Sequence, residues 1–417
     1  MKPEHELFEF QFDSLEMLAE KMNDLLGRPV TIEDASHRLI AYSSHAPETD
    51  PARLATIVGR RVPDNVLGSL WQGGVIARLQ ESDEPVRVAA ISDVGLSERV
   101  AIAIRSNAGT LGYIWVVENE KPFTPQELGL LKQAARAAKA KMALLQLNRH
   151  KEEEARKDFF WQLLTGYAPS ETAIAEMANK IGVLLPPVYH VVLLQFAAEI
   201  KERLMTQALQ AVEKSSAVSH CRLLLHAAGR NQLILLLTPA HHHGKEHVLR
   251  YLQFIKQEIE NLFADQFIGL ASSRLSSQYI MVEEGYREAQ LLLRIQRRFK
   301  RETEHIVYYP DLGYYRYLHL IRQENRKHGS VNESIEKLKA YDAEHHGELL
   351  HTLDVFLSRD SNAKAAADGL HIHTNTLNYR LKRITEISGI DLTNMEQKVS
   401  LYLDLKAEQF GSDKSSD

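Results

Sequence analysis

Apolar residues recur along this chain at changing intervals, and each change marks an element boundary. Leu15, Leu18, Ala19, Met22, Leu25 and Leu26 fall three and four apart, the period of a helix with one inward face. "GRPVTIEDASHRLIAYS" then reads as two short strands around a polar turn. "RVAIAIRSNAGTLGYIWVVEN" predicts a second strand pair, residues 100–105 and 111–117, joined through Ser-Asn-Ala-Gly. In "PFTPQELGLLKQAARAAKAKMALLQL" Thr124 stands as a helix cap, Pro125 in the first turn and Glu127 at the reciprocal capping position. Leu128, Leu131, Ala135, Ala138, Met142 and Leu145 then alternate three and four apart, an a/d seam. So narrow a seam suits a partner helix, yet the same face could pack on its own sheet, and spacing alone leaves both open. The charged run "NRHKEEEARKDFF" predicts a solvated helical connector and the first domain limit, at 147/148.

Beyond it the pattern alternates. Two helices, "DFFWQLLTGY" and "SETAIAEMANKIG", precede the strand-like "PVYHVVLLQFA". A helix near 203–214, the strands "RLLLHAA" and "QLILLLTPA", a helix at 246–263, the strand "FIGLASS" and a helix at 279–297 follow. Strands alternating with helices predict an α/β sandwich, closing near residue 310.

The last hundred residues are helical throughout. "GELLHTLDVFLSRDSN" puts Leu349, Leu350, Leu353, Phe356 and Leu357 on one face. "NAKAAADGLHIHTNTLNYRLKRITEISG" then places Ala363, Ala366, Ala367 and Leu370 on one short helix and Leu377, Leu381 and Ile384 on a second, with Ile372 between. Small residues where two helices cross, joined by a tight break at 371–374, form the helix-turn-helix pattern. Thr374 is the expected cap of the second helix and Gly389 its expected end. At about 100° per residue, Asn375, Tyr379, Lys382 and Arg383 lie opposite the apolar stripe, flanked by Thr376 and Asn378. That face can donate, accept and neutralise phosphate together. Asn matches the adenine edge, Thr meets a thymine methyl or a phosphate, and Lys and Arg serve guanine or backbone. Arg380 sits at the stripe's edge, where it can brace the motif or reach a phosphate. The expected DNA-contacting set is therefore Thr374, Asn375, Thr376, Asn378, Tyr379, Arg380, Lys382 and Arg383.

Composition narrows the classes. A chain of 417 residues exceeds one ordinary core and predicts roughly two to four domains. With 44% apolar and 25% charged residues, it has the balance of a soluble globular protein. The single cysteine, Cys221, excludes an intramolecular disulfide and a cysteine-based zinc cage, and points to a reducing, cytosolic setting. The first 26 residues carry acids and no uninterrupted apolar core, against a signal peptide. Apolar runs such as "LILLL" at 233–237 fall far short of the roughly 20 residues of a membrane span. A net charge of −5 argues against polyanion binding by the whole surface and confines it to a local patch.

"HHHGKEH" raises a metal question, because His243 and His247 at i and i+4 could share a helix face. The run follows a strand end and has no acid or cysteine nearby to complete a ligand set, so loop histidines are the expected reading and no metal or cofactor is assigned. His371 and His373 are read as turn and capping residues.

Three resemblances attach to these patterns. The order of helix, antiparallel strands and closing helix over residues 10–145 resembles the GAF and PAS sensor domains, most closely in "LGYIWVVENEKPFTPQELGLL". "IGLASSRLSSQYIMVEEGYREAQLLL" is similar to the last strand and helix of the GGDEF-like fold found inside PucR/CdaR regulators. His373, Asn375, Thr376, Leu377, Tyr379, Arg380, Leu381, Arg383 and Ile384 spell the H-x-N-T-L-x-Y-R-L-x-R-I core that resembles the C-terminal helix-turn-helix of PucR/CdaR-type bacterial transcription factors. "VYYPDLGYYRYL", "LKAYDAEHHGELLHTLDVFL" and "DLTNMEQKVSLYLDLKAEQ" extend that likeness, the last with Thr393 and Glu396 as an expected capping box. The resemblance covers most of residues 150–410.

It implies three parts: a GAF-like sensor with a dimerisation helix at 1–147, a GGDEF-like α/β domain at 148–310, and a helical linker with the helix-turn-helix at 311–417. It implies a cytoplasmic homo-oligomer that binds operator DNA, responds to a small-molecule effector and activates a catabolic operon for amino acids such as proline, purines or sugar acids. No membrane role is implied. The rival is a sensor-gated nucleotide cyclase or phosphodiesterase. A cyclase of this fold needs carboxylates and glycines at its central hairpin to hold divalent metal and phosphates. Here "AAGRNQLILLL" places Arg230, Asn231 and Gln232 there, so the middle domain is expected to be catalytically silent.

Overall fold

The computed structural model describes residues 12–44, 50–107, 109–118, 121–219, 221–239, 245–329 and 331–411. Ala108, within the expected hairpin turn, and His241–His243 lie outside the described residues. The chain divides into two units, Met1–Glu154 and Ala155–Asp417. The expected limit at 147/148 lies slightly ahead of that division, and the one at 310/311 falls inside the second unit.

In the first unit, Ser14 caps α1 (Leu15–Leu26) by accepting from the Met17 amide at 3.3 Å. Five strands, β1 (Val30–Asp34), β2 (Leu39–Tyr42), β3 (Val86–Val88), β4 (Arg99–Ser106) and β5 (Gly109–Val117), pair antiparallel in the order β2-β1-β5-β4-β3. Between β2 and β3 run α2 (Pro51–Gly59), α3 (Asp64–Gln72) and α4 (Val75–Glu81), three short helices that the apolar spacing did not reveal. They cover the sheet face bearing Ala101, Ala103, Tyr113 and Trp115.

α1 and α5 (Pro125–Leu164) cover the other face, on Val30, Ile32, Val100, Ile102, Ile114 and Val116. The expected cap is in place: the Thr124 amide donates to the Glu127 carboxylate at 2.7 Å and the Glu127 amide to Thr124 Oγ1 at 3.3 Å. Leu131, Ala135, Ala138 and Met142 are buried against this sheet, with Leu128 and Leu145 at the margin. The a/d stripe is thus the inner face of its own unit, and the reading of it as a seam for a partner helix is corrected. Gly112 of β5 permits the close approach, since a Cβ there would lie 2.1 Å from the Glu33 carbonyl oxygen and 2.5 Å from Met142 Cε. Asp34 ends β1; its Oδ1 accepts from the Ser36 and Arg38 amides, both at 2.9 Å, and its other oxygen pairs with Arg149 of α5. The expected connector and the "DFFWQLL" helix are parts of α5 itself.

In the second unit α6 (Glu171–Lys180) is followed by β6 (His190–Phe196), α7 (Glu202–Ser219), β7 (Cys221–Ala228), β8 (Gln232–Pro239), α8 (Lys245–Phe263), β9 (Phe267–Ser272), α9 (Val282–Arg298) and α10 (Lys300–Thr303). The sheet order is β7-β8-β6-β9, every pair antiparallel. Helices cover both faces, so β8 reads as an unbroken apolar run instead of an alternating one. At the β7–β8 turn the Gly229 amide donates to the Gln232 carbonyl at 2.8 Å, with Arg230 and Asn231 at the tip.

A tyrosine-rich 3-10 stretch, Tyr309–Tyr317, leads into α11 (Leu318–His328), α12 (Glu333–His345), α13 (Leu349–Ser358), α14 (Ala363–Leu370), α15 (Thr374–Ser388) and α16 (Met395–Phe410). Ile335, Leu338, Leu353, Ile384, Leu401 and Leu405 form the helical core, and Ala407 of α16 joins the core of the sheet. Lys406, only 3% exposed, lies 3.0 Å from the Asp354 carboxylate of α13 and near the rings of Tyr402 and Phe299. Asn394, not Thr393, caps α16 by accepting from the Gln397 amide at 3.1 Å. Thr393 is instead held by Asp391, which accepts from its amide and hydroxyl.

His190 is fully buried, its Nδ1 2.7 Å from Ser272 Oγ, and burial pushes its pKa down from 6.5 to about 4. The folded state therefore binds fewer protons than the unfolded one between those values. The stability this neutral ring contributes is complete above about pH 6.5 and is lost as pH falls toward 4. Unfolding followed by circular dichroism across that window is expected to show a decline that His190→Asn reduces; a flat wild-type profile would contradict the shift.

Candidate nucleic-acid interface

The α14–α15 pair is built from its caps outward. Asn362 caps α14, its Oδ1 accepting from the Ala365 amide at 3.0 Å. Ala366 and Ala367 allow α15 to approach closely enough for Leu377 to be fully buried with Phe356. His371 ends α14 in the left-handed region, φ 54°, and the Ile372 amide donates to the Ala367 carbonyl at 3.0 Å. His373, extended at φ −72° and ψ 146°, caps α15 by accepting from the Asn375 amide through Nδ1 at 3.2 Å. The expectation that Thr374 is the cap is corrected, since Thr374 is the first helical residue. Gly389 ends the helix at φ 72° as expected.

The eight expected contact residues separate into three groups. Asn375, Thr376, Asn378, Tyr379 and Lys382 are exposed, Tyr379 at 70%, and none has a side-chain partner among the described residues. Thr374 is half-buried at the start of the helix. Arg380 and Arg383 turn inward. Arg380 Nη1 donates to Thr352 Oγ1 at 3.1 Å and lies 3.6 Å from the Glu348 carboxylate, tying α15 to α13. Arg383 Nε donates to the Tyr341 hydroxyl at 3.4 Å, the guanidinium sits over the Tyr341 ring, and Nη1 donates to Glu386 at 3.1 Å. The bonds to Tyr341 and Glu386 hold the Arg383 pKa above its ordinary value. Glu386 itself lies exposed on the outward side, beyond Arg383, and was not among the expected residues. Lys364 of α14 and His371 at the turn are also exposed.

A second concentration of polar groups sits in the first unit, beneath α2–α4. Glu33, 4% exposed, accepts from Trp115 Nε1 at 3.0 Å and lies 3.4 Å from His37 Nδ1, whose ring stacks on Tyr113. Nearby, Arg99 Nη2 donates to Asp50 at 2.8 Å, and Arg53 donates to the carbonyls of Val30 and Ser43. Burial pushes the Glu33 pKa up against the lowering pull of His37, Arg99 and Trp115, and pulls those of Arg53 and Arg99 down. Opposite the two aromatic rings, β4 offers only Ala101 and Ala103. Among the described residues no group of three or more His, Cys, Asp or Glu could hold a metal ion, and no helix is long and apolar enough to cross a membrane. His247 lies in the first turn of α8.

Residues 349–407 match the PucR C-terminal helix-turn-helix domain family, a span that contains α14, α15 and most of α16. The DNA-binding transcriptional activator AdeR of Bacillus subtilis (strain 168) is 38% identical over 399 residues, covering 96% of this chain and 94% of that protein. The proline-responsive transcriptional activator PutR of the same organism is 30% identical over 407 residues, covering 95% and 97%. The carbohydrate diacid regulator of Escherichia coli (strain K12) is 37% identical over 73 residues, 18% of each chain.

The division of the face has a direct test in stability. Arg380→Ala removes a bond to the buried Thr352 and is expected to destabilise the second unit by about 1 kcal/mol. Asn375→Ala and Lys382→Ala, changes at exposed positions, should stay within about 0.5 kcal/mol of wild type. Urea titration of the three variants distinguishes bracing residues from presented ones, and equal losses in all three would refute the division.

Proposed function

This chain belongs to the PucR/CdaR-type bacterial transcriptional regulators, and from that premise we propose that the exposed side of α15 reads operator DNA while the N-terminal unit supplies a metabolite signal. The protein is a DNA-binding transcriptional regulator and not a nucleotide cyclase; both relatives that match over nearly its whole length are transcriptional activators. The reading of α15 is carried by one observation: Asn375, Thr376, Asn378, Tyr379 and Lys382 stand exposed, with no side-chain partner among the described residues, on the second helix of the helix-turn-helix inside the matched domain. Two amides, a hydroxyl, a phenol and one ammonium form a surface suited to base edges and phosphates together. Arg380 and Arg383 act from behind, holding the helix at its angle. Lys364, on the preceding helix, is suited to a phosphate.

The remaining assignments follow the same reading. The first unit acts as a GAF-like sensor over residues 1–147, a role supported by its central antiparallel sheet with helices on both faces. Residues 148–310 form a degenerate GGDEF-like domain, supported by the Arg230–Asn231 hairpin tip where a cyclase would carry acids. Residues 311–417 form the linker and DNA-binding domain. The regulator works in the cytoplasm as a homo-oligomer and activates a catabolic operon. Its effector is a small amino acid. PutR is by its name proline-responsive, and the cluster under α2–α4 carries both halves of a zwitterion's complement. Arg99 suits a carboxylate, and Glu33 an ammonium, whose charge would relieve the cost of burying its own.

Two experiments test this. Asn375→Ala is expected to cost roughly 1–3 kcal/mol at the preferred operator and to flatten discrimination at one base pair. Lys382→Ala should weaken binding to all sequences alike and reduce the salt slope by about one unit. Binding isotherms on specific and scrambled duplexes at several salt concentrations separate the two, and wild-type behaviour in both variants would sink the assignment. For the sensor, calorimetric titration of the full chain with L-proline and other small amino acids should give binding that Glu33→Gln weakens by about tenfold or more while DNA affinity without effector is unchanged. Equal binding by the variant would move the effector elsewhere.

A further inference from the structure

The outer surface of the first unit's helical layer carries opposite charges on its two helices. α1 and α5 lie on the same face of the sheet. Residues 128–151 of α5 hold six Lys or Arg and no acid. Lys132 is bonded to Glu84 and Arg149 to Asp34, whereas Arg136 and Lys139 are exposed. α1 presents exposed Glu16 and Asp24, with Met17 between them, 51% exposed. Opposite its buried stripe α5 carries a second apolar line, Ala137, Ala140, Leu144 and Leu147, and both leucines are 50% exposed. A helix with apolar residues on opposite sides is suited to being covered on both.

We propose that this second line is covered by another copy of the same chain, with Leu144 and Leu147 of two α5 helices meeting around a two-fold axis and the acids of each α1 facing the cations of the other copy's α5. The charges select this arrangement. Two α5 helices running parallel would bring cation against cation over residues 128–151, ahead of the exposed acids at 152–154; the partner's α1 supplies the opposite sign, and two-fold symmetry makes that contact twice. Alanine at 137 and 140 permits close approach of the helices. The proposal rests on the reading of the regulator as a homo-oligomer and names the surface that makes it one.

Sedimentation velocity on the full chain tests it. Leu144→Glu is expected to raise the dimer dissociation constant by about 100-fold, as loss of a central apolar anchor does. Arg136→Glu with Lys139→Glu should raise it about tenfold, and adding Glu16→Lys with Asp24→Lys should restore it to within about threefold of wild type. These positions are exposed, so circular dichroism should match wild type in every variant. A dimer indifferent to Leu144→Glu, or a double reversal without rescue, overturns the surface while leaving the oligomer intact. A chain lacking residues 1–11 should dimerise as wild type does; its dissociation would make that segment the cover instead. A wild type that stays monomeric both free and on operator DNA fails the underlying reading itself.

Discussion

An ammonium withdrawn from water must be neutralised, and the second unit is organised around one. Lys406 reaches Asp354 from α16 across to α13, and its ammonium lies over the rings of Tyr402 and Phe299. Removing either charge would strand the other, so the two helices are held in a register that neither could leave cheaply. Because Phe299 ends α9 and Ala407 lies in the sheet's core, the same lysine sits where the helical segment and the sheet become one packed body. The Tyr314 hydroxyl, 2.9 Å from that of Tyr402, adds a polar contact beside it. The helix-turn-helix is therefore presented from a fixed base.

On that base the presented face carries little charge. Of the three cations in α15, two guanidiniums are committed to α12, α13 and Glu386, and only Lys382 is left unengaged among the described residues. Recognition by this helix would lean on amides, hydroxyls and an aromatic edge, groups that discriminate more than they attract. This accords with a chain whose net charge is −5. A weakly charged reading head gains little from nonspecific attraction to phosphate, which places the demand for affinity on having more than one head.

Much of this was legible in the sequence, because helical periodicity and capping chemistry are local. The positions of α1, α9, α13, α14 and α15 follow from spacing, although α9 begins at Val282 instead of 279 because a 3-10 turn precedes it, and the Thr124–Glu127 box follows from three residues. What escaped was set by surroundings. α2, α3 and α4 are short, and α2 buries Arg53, so no apolar stripe announces them. The a/d stripe of α5 was visible but its direction was not, since the opposite side is apolar too. Glu33 follows the ordinary inside-outside alternation of a strand and looks solvent-facing until α2–α4 cover that side. At the caps, an imidazole nitrogen accepts as well as a hydroxyl, which is why His373 displaces Thr374; a preceding Asp391 draws Thr393 away and leaves the task to Asn394. Arg380, at the stripe's edge, left bracing and phosphate contact both open, whereas Arg383 has the angle of a surface residue and its long stem lets it fold back onto α12.

The pleat of β1 has a mechanical consequence. Glu33 and Asp34 are consecutive, so one points into the polar cluster under α2–α4 and the other toward α5, where it holds Arg149. A single planar peptide unit, about 3.8 Å from Cα to Cα, separates them. Any roll of the strand about its own axis swings the two carboxylates in opposite senses, as the ends of a rocker move about its pivot. A disturbance at the buried acid need not propagate through loosely packed side chains to reach the long helix, because the backbone itself is the rigid link.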